Sequence, residues 1–374
     1  MKKTITDMKK TARTNSTIEY SGLTLLLKMM VLLSLTLLLA ACSDGKQDKT
    51  KEQRLTEERS IRLDSIKPPF VFCPERWTTD GVDLWIVNSK DSLFLKRYSP
   101  KTNQVLWSGG TIGHGDNEYI SPGIVEGIAQ GTISLYSNTL NRMDKYSASQ
   151  EPVMLNSVKL PVWDERRGIP KPYTRMARVN DSIVIGTYFL PRKVGADIIN
   201  VSQGTVVSDF PLGIITLNFT QKEEFPSGLY EFKVAVGGSH AAVAYRYIDR
   251  LEIYSVNPKG TVALTRIFGN DEIQTDLYNA DRDDEMIKYY SDVFVYEGHL
   301  FVLRQNIEEG RMEDANTHLQ VYDLESGVKV ENIALGREVS EFQVMPGINR
   351  IVFYSKSSPE VIYECKLSDV VRDL

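Results

Sequence analysis

Leu95-Lys-Arg-Tyr98-Ser99, Met143-Asp-Lys-Tyr146-Ser147, Leu251-Glu-Ile-Tyr254-Ser255 and Leu319-Gln-Val-Tyr322-Asp323 are four copies of one pattern. Each is a short strand that ends in tyrosine, followed by Ser or Asp and a turn. Ile198-Ile-Asn200-Val-Ser202 is a degenerate copy, and Val361-Ile-Tyr363 is the last. With Asn200 marking the degenerate copy, the six positions are separated by 48, 54, 54, 68 and 41 residues. Repeats of about 40–50 residues, each holding several strands, are the pattern of propeller blades. A four-stranded blade that is apolar on both faces is not stable alone, whereas radial stacking buries those faces and ring closure leaves only short edges. Six copies predict an all-β fold, a six-bladed β-propeller over residues 67–374, with the repeat tyrosines packed between neighbouring blades. Two stacked sandwiches with chance Tyr-Ser pairs are the competing arrangement.

The sequence between the repeats supports strands. Thr132-Ile-Ser-Leu-Tyr136 alternates with period two, and Asp91 to Tyr98 does so more loosely. Ser182-Ile-Val-Ile-Gly186, Ala241-Ala-Val-Ala-Tyr245 and Leu300-Phe-Val-Leu303 are apolar throughout, as in strands covered on both faces. Helical periodicity is scarce. Its best candidate runs from Asp276 to Tyr290, inside the 68-residue spacing, and predicts a short helical insertion before blade five.

The N-terminus has a different character. Lys2, Lys3, Lys9, Lys10 and Arg13 precede an apolar stretch from Met29 to Leu39, which ends in Leu39-Ala40-Ala41-Cys42. Small residues before a cut are what a signal peptidase requires, and a cysteine directly after them is a diacylglycerol acceptor. Residues 1–41 are expected to be a cleaved lipoprotein signal peptide and Cys42 the lipidated residue. A signal anchor left in the bilayer is the alternative, but a spanning helix needs about 20 apolar residues, and this core is close to half that. Residues 42–66 are strongly polar, too polar to bury themselves, and are expected to form a solvated tether, with Ile61-Arg62-Leu63 as a possible start of the first strand. Ser43 after the cysteine favours the outer membrane over inner-membrane retention.

The chain carries a formal charge of −5. Residues 1–41 hold six basic and two acidic residues, so the remainder has a charge of −9. An acidic body argues against nucleic acid as partner, because nucleic acid needs clustered positive charge. Beyond Cys42, the cysteines are Cys73 and Cys365, near opposite ends of the expected propeller. In an oxidising compartment they could pair if the fold joins its ends; two separate buried thiols are the other arrangement.

Gly113-His-Gly115-Asp-Asn117-Glu118-Tyr119-Ile-Ser121-Pro122 follows the first blade. It resembles the Gly-x-Gly-Pro-Asn-Glu-Phe-x-Ser-Pro segment between the first two blades of TolB-like six-bladed propeller lipoproteins of Bacteroidota. Tyr289 to Leu303 is similar to that family's fifth blade, and Thr317 to Leu367 to its closing sequence. Asp116 stands where the family has proline. The resemblance covers about residues 60–370 and implies architecture and location, with no activity attached. In the residues themselves, Asn117 and Glu118 beside Gly113 and Gly115 suit a sharp inter-blade turn, where short polar side chains satisfy the backbone.

Little in the sequence points to catalysis. His114, His240, His299 and His318 are scattered without metal-ligand spacing. Asp281-Arg-Asp283-Asp284-Glu285 lacks the glycine and downstream glutamate of a calcium loop. Gly237-Gly-Ser-His240 reads as a turn, and no Gly-x-Ser-x-Gly elbow occurs. Trp77, Trp85, Trp107 and Trp163 suit core packing, with sugar stacking at a channel mouth as the alternative. A glycosidase needs two facing carboxylates, and Glu118, Glu126, Asp164, Asp292 and Glu341 fall near blade edges. No cofactor is implied. The sequence therefore predicts an envelope binding or scaffolding module, joined to the membrane through its lipid, with a protein or glycan as partner. The competing class is a polysaccharide hydrolase or lyase, which would show two carboxylates across an open channel; a plugged channel would favour binding.

Overall fold

Phe232–Gly237 shows how one strand serves two surfaces: Phe232, Val234 and Val236 are buried and alternate with half-buried Lys233, Ala235 and Gly237. Alternate side chains of a strand leave on opposite faces. The first set enters the seam with the preceding blade, and Lys233 lines a cavity beside the ring axis. The computed structural model describes residues 58–371, except 116–117, 130, 165–168, 191–192, 214–230, 270–285, 309 and 312–315.

Six antiparallel sheets follow one another along the chain. Blade 1 is Arg76–Thr79, Leu84–Val87, Leu95–Ser99 and Gln104–Gly109, and blade 2 is Pro122–Ile124, Thr132–Ser137, Arg142–Ser147 and Met154–Lys159. Blade 3 is Tyr173–Arg178, Ile183–Leu190, Lys193–Asn200 and Thr205–Asp209, and blade 4 is Phe232–Gly237, His240–Tyr245, Arg250–Val256 and Val262–Gly269. Blade 5 is Ile287–Tyr296, His299–Glu308, His318–Asp323 and Lys329–Ala334. Blade 6 takes three strands from the C-terminal part, Glu341–Met345, Arg350–Tyr354 and Ile362–Lys366, and its outermost strand, Asp64–Ile66, from the N-terminal part. The first strand of every blade neighbours the first strand of the next, and that of blade 6 returns to that of blade 1. The expected six-bladed propeller is the fold found.

Apolar side chains gather into six clusters, one at each seam. The repeat tyrosines all lie on third strands and enter these seams. Tyr98 packs between blades 6 and 1, Tyr254 between 3 and 4, Tyr322 between 4 and 5, and Tyr363 between 5 and 6, with Tyr146 partly buried between 1 and 2. At the degenerate copy, buried Ile199 fills the seam between blades 2 and 3 in place of tyrosine. Burying a side chain of this size stabilises the fold by about 1.5–3 kcal/mol, so the six filled seams together hold the ring.

Three expectations are corrected. Residues 59–66, assigned to the tether, belong to the ring. Asp64–Ile66 pairs antiparallel with Ile362–Lys366, with Ile66 opposite Ile362, while Arg59–Ser60 adds a parallel edge to blade 5. Arg59 fixes this edge, donating from Nε to Glu331 at 2.7 Å and from Nη2 to the Asp369 carbonyl at 2.8 Å. The end of the expected helix is strand: Lys288 faces Ile307 and Tyr290 faces Arg304 in the ladder of blade 5. Pairing with a long neighbouring strand satisfies that backbone better than an isolated turn of helix would. The rest of that insertion, 276–285, lies outside the described residues, as do the signal segment and Cys42. Finally, Cys73 and Cys365 are free thiols, and Cys73 is exposed where both were expected to be buried. Burial pushes the Cys365 thiol up to about 12, which keeps it protonated.

Candidate functional site

The inner strands bring charged side chains to the axis, roughly one per blade. Blade 2 supplies Glu126 just beyond Pro122–Ile124, blade 3 Arg175, blade 4 Lys233, blade 5 Asp292 and blade 6 Glu341; blade 1 contributes Trp77. They form a continuous lattice. Arg175 bridges Glu126 at 2.7 Å and Glu341 at 3.3 Å. Lys233 bridges Asp292 at 2.5 Å and Glu126 at 3.4 Å. The Trp77 indole N–H donates to Glu341 at 2.8 Å. The backbone N–H groups of Val293 and Phe342 donate to Asp292 at 2.7 and 2.8 Å. All six carboxylate oxygens of Glu126, Asp292 and Glu341 therefore have a partner.

Burial opposes ionisation throughout this lattice, and the neighbours decide the outcome. For Glu126 burial is outweighed by Arg175, Lys233 and Arg76, and its carboxyl is held below the usual range. For Glu341 burial is likewise outweighed by Lys233 and Arg175, which hold it at about 2. For Asp292 burial prevails over Lys233, with Glu341 adding to it, and its carboxyl rises to about 6. Burial lowers the basicity of Arg175 and Lys233, but the surrounding carboxylates more than restore it. With Asp292 protonated, two carboxylates face two cations.

Above the lattice, on the face where the inner strands begin, a vestibule of about 570 Å³ opens. Its lining carries Arg76, Arg175, Lys233, Arg246, Lys288 and Lys356 against Glu75, Glu231, Asp292 and Glu341. Below it, the space along the axis narrows to about 20 Å³ among Val234, Val236, Val293 and Val295. Among the described residues the space along the axis is far smaller below the lattice than in the vestibule.

Of the five carboxylates singled out in the sequence, Glu126, Asp292 and Glu341 converge here. Glu118 does not: its carboxylate accepts from the Gly115 N–H at 2.8 Å in the turn between blades 1 and 2. A Cβ on Gly113 would meet that carboxylate and force it to shift. Asn117 and the side chain of Asp164 lie outside the described residues. Trp77 and Trp85 are buried, in the seams of blades 6–1 and 1–2. Gly237 and His240 close a hairpin. Sequence reasoning missed Arg175 and Lys233, the cations that bind the lattice together. The available signal was weak: a charged residue within or just beyond the first strand of blades 2 to 6, at no fixed position.

No protein-family model matches the chain, and no curated protein does. Solved structures align over most of it. A Bacteroides fragilis protein described as exported shares 13% identity, with 83% of this chain and 99% of that one covered and a TM-score of 0.48. The β-propeller domain of Cps50 (Swd1) from Myceliophteria thermophila shares 9%, covering 81% and 98%, with a TM-score of 0.43. Hydrazine synthase from Kuenenia stuttgartiensis shares 12%, covering 78% and 82%, with a TM-score of 0.43. The assignment to six-bladed β-propellers rests on the strand order and the closed ring of inner strands described above.

Proposed function

We propose that the chain is a lipid-anchored binding module of the cell envelope whose ligand occupies the axial vestibule. One observation carries the binding reading: every oxygen of the three converging carboxylates is engaged by a cation, an indole or a backbone N–H. A glycosidase needs one carboxyl free to donate a proton and another free to attack or to activate water. Asp292, 1% exposed, is positioned for neither task. What remains is a polar cavity of the size that takes a small ligand or a protruding group of a larger one. The Leu39-Ala40-Ala41-Cys42 sequence and the polar residues after it support an anchor by lipid, with a short tether between Cys42 and the first ring strand at Arg59. We place the body at the outer membrane on the same grounds.

Photo-crosslinking in intact cells tests the site. A photoreactive phenylalanine analogue replacing Phe189 in the vestibule wall should capture an envelope partner or glycan, whereas one replacing Leu155 on the outer edge of blade 2 should not. Capture from Leu155 alone would overturn the vestibule reading. Cys42→Ser should abolish incorporation of labelled palmitate and release the protein from membranes; unchanged membrane association and labelling would overturn the anchor.

A further inference from the structure

We infer that the vestibule selects an anionic ligand: a sugar-sized polar body bearing a carboxylate or a phosphate, whose charge is met by Arg76 and Lys356. The inference rests on the vestibule being the ligand site and adds the class of ligand. The first ground is charge. Six cations and four carboxylates line the cavity, in a chain whose overall charge is −5. A cationic cavity in an acidic protein concentrates anions, and its low-dielectric walls strengthen the effect.

The second ground is how those charges are engaged. Asp292 and Glu341 belong to the lattice with Lys233 and Arg175. Glu231 is paired with Arg246 at 3.0 Å, and Glu75 accepts from the Ser89 hydroxyl at 2.5 Å. Arg76 is held differently. Its guanidinium donates to the carbonyls of Glu75 at 2.5 Å and Thr174 at 3.1 Å. Neutral acceptors fix its direction, and the carboxylate its charge acts on, Glu126, is already paired with Arg175 and Lys233. A planar fork held this way is suited to a carboxylate or phosphate.

Lys356 is exposed, on a loop that is braced from beneath. Buried Glu338 accepts from the hydroxyls of Ser340 at 2.5 Å, Ser357 at 3.1 Å, and Ser355. The Lys356 N–H donates to the Ser340 hydroxyl at 3.1 Å. Among the described residues no carboxylate pairs with the Lys356 ammonium. Fixing the Arg76 guanidinium and the backbone that carries Lys356 before binding lowers the ordering cost of association. The remaining wall suits a hydroxylated body: Thr174 and Ser291, whose hydroxyls are bonded to Thr187 and the Val339 carbonyl, keep oxygen lone pairs as acceptors, and the Phe189 ring, against Phe232 at 5.4 Å, offers an apolar face. About 570 Å³ admits a small ligand and excludes a folded polymer.

Calorimetry on the full lipidated protein in detergent tests this, with glucuronate, glucose 6-phosphate and glucose as probes at low and high salt. We expect at least one acidic sugar to bind at least tenfold more tightly than glucose, with weakening in salt. Whichever acid binds identifies carboxylate or phosphate as the charge recognised. Arg76→Met and Lys356→Met should each lose about tenfold, with Lys356→Met unfolding at the same temperature as the parent. Equal binding of glucose, or unchanged binding in both variants, would overturn the anion assignment. Absence of binding by all three probes would also overturn it; continued capture at residue 189 in cells would then show that the vestibule reading survives.

Discussion

Trp77 and Glu341 are 264 residues apart and hydrogen-bonded at 2.8 Å, joining the first strand of blade 1 to the first strand of blade 6 beside the axis. This contact closes the ring at its centre. Asp64–Ile66 closes it at the rim. A propeller sealed at both radii has no blade that can leave without breaking two seams.

Trp77→Phe keeps an aromatic ring in the seam and removes the donor. Glu341 then loses a partner in a place where water does not replace it. The expected cost is about 1–3 kcal/mol, measured as a lower urea midpoint at unchanged slope.

Arg175→Met should cost more, about 3–5 kcal/mol, because Glu126 and Glu341 would be left as buried carboxylates without their shared cation. Adding Glu341→Gln should recover part of the loss. A double-mutant cycle by chemical denaturation measures the coupling, and additive losses would contradict the lattice.

The lattice also sets a pH dependence with two signs. The Asp292 carboxyl, raised to about 6, keeps a proton that the unfolded chain releases near its ordinary value. Its stabilising contribution is full below that ordinary value and is lost as pH rises through about 6. Glu341, held at about 2, stabilises above its ordinary value and loses that contribution as pH falls through about 2. Relative to Asp292→Asn, the parent should therefore lose roughly 2–3 kcal/mol between pH 4 and 7. Unfolding free energies across that range check the slope, and its absence would mean that Asp292 stays ionised throughout.

Truncation before residue 68 removes Arg59–Ser60 and Asp64–Ile66, with the ladders they make on blades 5 and 6. At about 1 kcal/mol per hydrogen bond, the loss should be several kcal/mol. It should appear as a lower thermal midpoint and faster proteolysis at Ile362–Lys366. A chain that starts at residue 58 should unfold like the longer one.

The inter-blade tyrosines were legible because their environment is repeated. Tyr98, Tyr254, Tyr322 and Tyr363 each meet a third strand, a turn and a neighbouring sheet, so the same residue recurs at blade spacing. The axial site has no such repetition. Glu126, Asp292 and Glu341 could be named as carboxylates near blade edges, but nothing in their spacing showed that they meet, or that Arg175 and Lys233 join them. Residues 59–66 misled for a related reason: edge strands carrying Arg59 and Asp64 read as tether until their partner strands, about 270–300 residues later, are known.

The amino-acid sequence alone determined the number of blades and the residues between them, because each seam is a local rule stated about every 50 residues. Tertiary structure alone decided which charges meet at the axis, which strand closes the ring and where the cavity opens. Those depend on ring closure, which brings together side chains whose separation along the chain carries no trace of their contact.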